Sequence, residues 1–174
     1  ILFESDDTGL TNPHEIRSIY DPTAGTAGML LVAKKALEEL NPDIEVTLHG
    51  QELMPGSYAI GKADLLIQGG EPDALRHGDT LARDIHPSLS ADFVLANPPF
   101  NIKDWARSEE DARWRYGVPP VKNANYAWMQ HILSKLAPHG EAAVVMANSS
   151  FQNAFAWTQI MTVAAMLVGI TPPS

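Results

Sequence analysis

Two apolar runs constrain the fold of this chain more than any other feature. "DFVLA", residues 92–96, and "EAAVVMA", residues 141–147, are continuously hydrophobic, as strands are when both faces of a parallel sheet are covered. Between them, "NANYAWMQHILSKLAPHG" sets Tyr126, Met129, Leu133 and Leu136 at helical spacing, with Pro138 and Gly140 closing the helix. The same order occurs twice earlier. "SIYDP" ends a short apolar run at Asp21, and "TAGMLLVAKKALEEL" then carries Leu30, Ala33, Leu37 and Leu40 on one face as far as Asn41-Pro42. "IEVTLHGQE" alternates Ile44, Val46 and Leu48 as a strand does, and Pro55 opens a helix whose Ala59, Ala63, Leu66 and Ile67 share a face before Gly69-Gly70. "ALRHGDTL" reads as a short strand running into Asp79. Strands alternating with helices predict an α/β chain with a doubly wound, mostly parallel sheet. Beyond residue 150 the pattern predicts a helix near Gln152 to Met161 and a strand near Val163 to Ile170.

With 174 residues the chain fits a single domain, 1–174, large enough for a core without disulfides or metals. It has no cysteine, which removes thiolate nucleophiles and cysteine-ligated zinc together. No apolar stretch approaches a membrane span, and "ILFESDDTGL" lacks a basic segment followed by an apolar one, so a cytoplasmic protein with no membrane partner is expected. The six histidines show no ligand spacing, and no metal is expected.

The polar residues that end the strands are the candidates for function, because ligands of doubly wound sheets bind beyond the carboxyl ends of the strands. Asp21 is followed by "PTAGTAG", where Gly25 and Gly28 let the backbone approach a ligand and the next helix presents its N-terminal amides. Glu52 follows the second strand, where a carboxylate can accept from both hydroxyls of a ribose. Asp79 follows the third, placed to accept from an adenine amino group. Asn97 follows the fourth. Each has a bland alternative as a helix cap or turn residue, and the dinucleotide G-x-G-x-x-G is absent. Four such residues on successive strands point to one site.

"NPPF", residues 97–100, carries the most specific chemistry. Pro98 and Pro99 have no amide proton and a fixed φ, so this turn is rigid and aims its carbonyls outward. The Asn97 side-chain oxygen and the Pro98 carbonyl can accept both hydrogens of a planar amine, while Phe100 offers a face for a heterocyclic base. Two acceptors so placed localise the nitrogen lone pair and make a poor nucleophile a better one.

"DPTAGTAGMLL", "GQEL", "GDTL" and "ADFVLANPPFNIKDW" resemble, in order, the motifs of amino-group DNA methyltransferases, specifically the modification subunit of type I restriction-modification systems. "RWRYGVPPVKNANYAWMQHILSKL" and "GEAAVVMANSSF" resemble the same subunit, so the likeness runs from about Asp21 to Phe151. The resemblance implies a Rossmann-like S-adenosylmethionine-dependent methyltransferase fold and methylation of adenine in DNA. By motif position Asp21, Pro22, Thr23, Gly25, Thr26 and Gly28 hold the methionine part of the cofactor, Glu52 its ribose, and Asp79, with Thr80 and Leu81, its adenine. Asn97, Pro98, Pro99 and Phe100 form the catalytic tetrapeptide, acting on an adenine flipped out of the duplex. Implied partners are double-stranded DNA, a specificity subunit, a second modification subunit and a restriction subunit. The sequence departs from the family where "LTNPHEIRS" runs almost directly into "IYDP", leaving no room for a helix that members carry there, and residues 151–170 are compressed. The family's N-terminal helical domain and C-terminal region lie outside the sequence, which reads as a catalytic core fragment.

Other readings share the acceptor logic: methylation of a protein glutamine amide or an RNA guanine amine, which the "FNIKDW" and "RWRYGVPP" continuations argue against. A non-catalytic assembly module is disfavoured by the presence of Asp21, Glu52, Asp79 and Asn97 together. The net charge of −9 repels a polyanion. Lys103, Arg107, Arg113, Arg115 and Lys122 make the one basic cluster, diluted by Asp104, Glu109, Glu110 and Asp111. The resemblance leads us to expect this loop along the flipped strand, with its arginines on phosphates.

Overall fold

Parallel pairing sets the architecture. In the computed structural model, which describes residues 10 and 12–145, β1 (Ile16–Asp21), β2 (Glu45–Glu52), β3 (Leu75–His77), β4 (Ala91–Ala96) and β5 (Leu136–Val144) form one sheet in the order β3-β2-β1-β4-β5. Every pairing among them is parallel, as the strand-helix alternation predicts. The helix and strand expected beyond residue 150 lie outside the described residues.

The two faces of the sheet have separate cores, as the pleat requires. Ile19 and its neighbour Phe93 pack with Leu30, Leu37 and Leu65 of α1 (Gly28–Leu40) and α2 (Pro55–Ile67). Tyr20 and its neighbour Val94 pack on the opposite face with Ile132 of α3 (Asn125–Lys135). Ile19, Leu30 and Leu37 have no exposed surface, and burial of such side chains contributes about 1.5–3 kcal/mol each. The segment from 78 to 90, between β3 and β4, contains no helix and is held by buried polar groups. The Gln51 amide donates to the Arg83 carbonyl at 2.8 Å and accepts from the Ile85 N–H. Lys135, 2% exposed, pairs with Asp84 and donates to the His86 carbonyl at 2.6 Å.

Three expectations need correction. Leu40 at the end of α1 is exposed, while Leu31 is buried. On α2 the expected face of Ala59, Ala63, Leu66 and Ile67 points outward, and Gly61 and Leu65 are buried instead. Gly61 sits so close to the sheet that a Cβ there would lie 2.7 Å from the Leu75 side chain and 3.1 Å from the Thr26 backbone. A glycine at the contact carries no hydrophobic signal, so periodicity selects the wrong stripe. Finally, α3 ends at Lys135, and Pro138 and Gly140 belong to β5. Ala91 pairs with Leu136 and Phe93 with Glu141, so residues 137–140 bulge opposite Asp92. A bulge accommodates a proline that cannot donate to the ladder. A Cβ at Gly140 would lie 2.6 Å from the Ala91 carbonyl oxygen.

The Gly61 contact yields a direct test. Gly61→Val should destabilise the fold by about 1–3 kcal/mol through overpacking against Leu75 and the Thr26 backbone. A urea midpoint equal to that of the parent chain would show that α2 does not press on this loop.

Candidate active site

β1 to β4 run parallel, so the residues that end them come together at one edge. A cavity of about 770 Å³ there is lined by Pro22, Thr23, Glu52, Asp79, Thr80, Leu81, Asn97, Pro98, Pro99 and Phe100 among others. It unites the four catalytic candidates with most of the cofactor candidates. Asp21, Gly25, Thr26 and Gly28 do not line it. A larger concavity of about 940 Å³ lies along β2, with His49, His86 and Arg76 in its wall, and contains none of the strand-end residues singled out above.

The wall built from β1 to β3 is stitched together by its own polar groups. Glu52, 8% exposed, accepts from the Gly25 N–H through Oε2 at 2.8 Å and from the Met54 N–H through Oε1 at 2.6 Å. The Thr80 hydroxyl donates to the Pro22 carbonyl at 2.6 Å. Asp79 Oδ1 accepts from the N–H groups of Leu81 and Ala82. A carboxylate has about four acceptor positions, so both acids keep lone pairs for a ligand. Gly25 has a φ of +55°, and a Cβ at Gly25 or Gly28 would meet nothing within 4 Å. Space is open where the turn enters α1.

Asp21 is fully buried. Its Oδ1 accepts from the Thr23 N–H at 2.8 Å, and its Oδ2 has no hydrogen-bond partner. Burial, opposed by the Thr23 bonds, pushes its carboxyl up to about 7. A second orphan is the indole Nε1 of Trp128, which is buried without an acceptor in the opposite wall.

On that opposite side Asn97 is exposed, with no hydrogen bond to its side chain among the described residues, and Pro98 is buried beneath it. Asn101 and Asp104 follow with φ of 57° and 56°, a left-handed conformation that asparagine and aspartate tolerate best among residues other than glycine. Asn125 fixes this turn: its Oδ1 accepts from the Asn101 N–H at 2.9 Å, and its Nδ2 donates to Asn101 Oδ1 at 3.2 Å. Trp105 and Trp128 complete the wall, in a cluster with Leu81 and Trp114. Asn125 and Trp128 escape sequence reasoning, because only the tertiary fold brings α3 against the "NPPF" turn.

The basic loop differs from expectation. Arg107 donates to the Pro119 carbonyl and pairs with Glu109. Arg113 is half-buried, held against Asp111 and backbone carbonyls. Two of the three arginines are thus turned inward by local acceptors, leaving Lys103, Arg115 and Lys122 exposed.

Asp21 gives this region a pH signature. Its carboxyl has an ordinary value of 3.8 and one of about 7 in the fold, so between these limits the folded state binds more protons than the unfolded state. The stabilisation from the protonated acid is complete below about pH 4 and is lost as pH rises through about 7. Asp21→Asn should flatten this dependence, seen as urea midpoints measured at about pH 5 and about pH 8. An equal slope in parent and variant would show that Asp21 ionises normally.

Known proteins resemble this chain over most of its length. Residues 8–163 match the family model described as N-6 DNA Methylase. The HindI methylase subunit of the type I restriction enzyme from Haemophilus influenzae is 33% identical over 139 residues, covering 78% of this chain and 31% of that protein. The MjaIX methylase subunit from Methanocaldococcus jannaschii is 39% identical over 142 residues, covering 76% and 25%. The chain therefore spans about a quarter to a third of the length of these relatives. Among solved structures, the M protein of type I restriction enzyme EcoKI superposes with a TM-score of 0.67 at 28% identity, over 87% of this chain and 34% of that one. The type I methyltransferase subunit from Streptococcus thermophilus superposes with a TM-score of 0.72 over 94% of this chain and 36% of that one; at 23% identity this speaks for the fold, a Rossmann-like methyltransferase sheet. With most of its length matched by the family model, this chain belongs to the N-6 DNA methylase family.

Proposed function

We propose that this chain is the catalytic core of a type I modification subunit, and that it methylates the 6-amino group of an adenine flipped out of DNA. The observation that carries the reading is the unbonded Asn97 amide at the end of β4, in one cavity with Glu52 and Asp79. The cavity and the β1 turn next to it together fit S-adenosylmethionine. Asp21 Oδ2 is an orphaned acceptor beside the turn, Gly25 and Gly28 leave open space there, and Glu52 and Asp79 keep free lone pairs. Residues 21–28 would hold the methionine part, Glu52 the ribose hydroxyls, and Asp79 the adenine amine, with Thr80 and Leu81 beside it. When bound, the cofactor supplies an electrophilic methyl group on a sulfonium.

The chain's own work is to position and activate the acceptor. Asn97 Oδ1 and the Pro98 carbonyl accept the two hydrogens of the target amine and localise its lone pair, while Phe100 stacks on the base. Because Asn97 is exposed, the proton released after transfer has a path to water. No covalent enzyme intermediate is required, which suits a chain without cysteine.

The whole enzyme also needs DNA affinity, which this chain is poorly equipped to give. With a net charge of −9 and two arginines of the loop committed internally, a specificity subunit has to grip the duplex. A second modification subunit and a restriction subunit complete the proposed assembly. Among the described residues no helix is long and apolar enough to cross a membrane; the cytoplasmic setting is what the proposed assembly implies.

Two tests separate chemistry from binding. In the complete enzyme, Asn97→Ala should lower the single-turnover rate by on the order of 100-fold or more, while affinity for S-adenosylmethionine is retained; near-normal transfer without the amide would defeat the mechanism. DNA titrations near physiological salt should show weak, steeply salt-dependent binding by this polypeptide, rising sharply when the specificity subunit is added. Nanomolar sequence-specific binding by the chain alone would overturn the division of labour.

A further inference from the structure

Arg113 has all five of its N–H donors in use. Nε donates to the two Asp111 carboxylate oxygens, at 2.9 and 3.0 Å. Nη2 donates to Asp111 Oδ2 at 2.5 Å and to the Leu81 carbonyl at 2.8 Å. Nη1 donates to the Thr80 carbonyl at 2.8 Å and lies 3.0 Å from His131 Nδ1. The side chain is only 10% exposed, and its guanidinium lies 5.0 Å from the centre of the Trp114 ring. A charge so enclosed is tolerated when its hydrogen bonds are complete, and only arginine presents five donors in one rigid plane.

The acceptors come from three separate segments: the arginine's own loop, the turn after β3, and α3. A guanidinium can only donate, so His131 Nδ1 accepts, and the imidazole carries its proton on Nε2, which donates to Tyr20 Oη at 2.9 Å. Burial and then the charge of Arg113 hold His131 down to about 3, so the ring stays neutral near pH 7. Thr80 in turn grips the Pro22 carbonyl through its hydroxyl. A continuous chain of hydrogen bonds thus joins the ends of β1 and β3 to the loop that carries Trp105.

We propose that Arg113 is a positioning residue that sets the distance between the cofactor side of the cleft, at Thr80 and Leu81, and its acceptor side, at Trp105, against which Trp114 packs. Leu81 also packs in the tryptophan cluster, so the guanidinium bonds and this apolar contact link the same two sides, and releasing the guanidinium loosens the polar half of that link. The inference rests on the methyltransferase reading of the cleft. It assigns the arginine a role apart from DNA phosphates, which its internal bonds place out of reach.

The test uses the complete enzyme with its partner subunits. Arg113→Lys offers three donors from one point and cannot span the acceptors. By loosening Thr80 and Leu81 it should weaken binding of S-adenosylhomocysteine roughly tenfold, and lower the single-turnover rate even at saturating S-adenosylmethionine. Asp111→Asn, which weakens the fork but leaves it in place, should move both in the same direction by less. In either variant the Leu81 and Ala82 amides should exchange faster with deuterium. Unchanged affinity, rate and exchange in a folded variant would overturn the proposal, as would a lower Tm with all three preserved. Should Arg113→Lys not fold, Asp111→Asn decides by the same readings. If the parent enzyme does not bind S-adenosylmethionine while Asp111→Asn still accelerates exchange at Leu81 and Ala82, the clamp stands and the methyltransferase reading falls.

Discussion

The pairing of β1 with β2 on one side and β4 on the other is the constraint on which the rest depends. Strand order reverses at β1: the chain goes from β1 outward to β2 and β3, then returns to lay β4 along the opposite edge. A crevice has to open where successive connections leave in opposite directions. Glu52 and Asp79 consequently stand on one side of the crevice and Asn97 on the other, with the β1 turn at its floor. Because Ile19 and Phe93 face one core and Tyr20 and Val94 the other, a slip of one residue between β1 and β4 would exchange the two cores. The same register that satisfies burial therefore fixes the catalytic turn against the cofactor side.

The legible parts of this sequence were those whose signal is local. Continuous apolar runs gave β4 and the last four residues of β5, alternation gave β2, and polar residues at the strand ends gave Glu52, Asp79 and Asn97, which line one cavity. What could not be read depends on distant partners. Gly61 is buried because Leu75 and Thr26 lie against it, and nothing nearby in sequence announces that. Pro138 and Gly140 look like helix terminators until the bulge opposite Asp92 gives them another task. Arg113 reads as a surface cation in a mixed-charge loop. Its acceptors Thr80 and Leu81 are 33 and 32 residues away, beyond any periodicity argument.

The two sides of the cleft are prepared differently, and the difference suits their tasks. Glu52, Thr80 and Asp79 are each engaged by backbone groups of neighbouring turns, so the side assigned to the cofactor is ordered before anything binds. Preorganisation of this kind reduces the conformational entropy that binding must offset. Asn97 has no such restraint on its amide, although the backbone beneath it is rigid: Pro98 is buried, and the Asn101–Asn125 pair anchors the following turn. A side chain that bonded elsewhere would have to break that bond before accepting from an amine. Leaving the amide free on a fixed backbone keeps its two acceptor lone pairs for the moment the base arrives, where they favour the reacting geometry over the resting one.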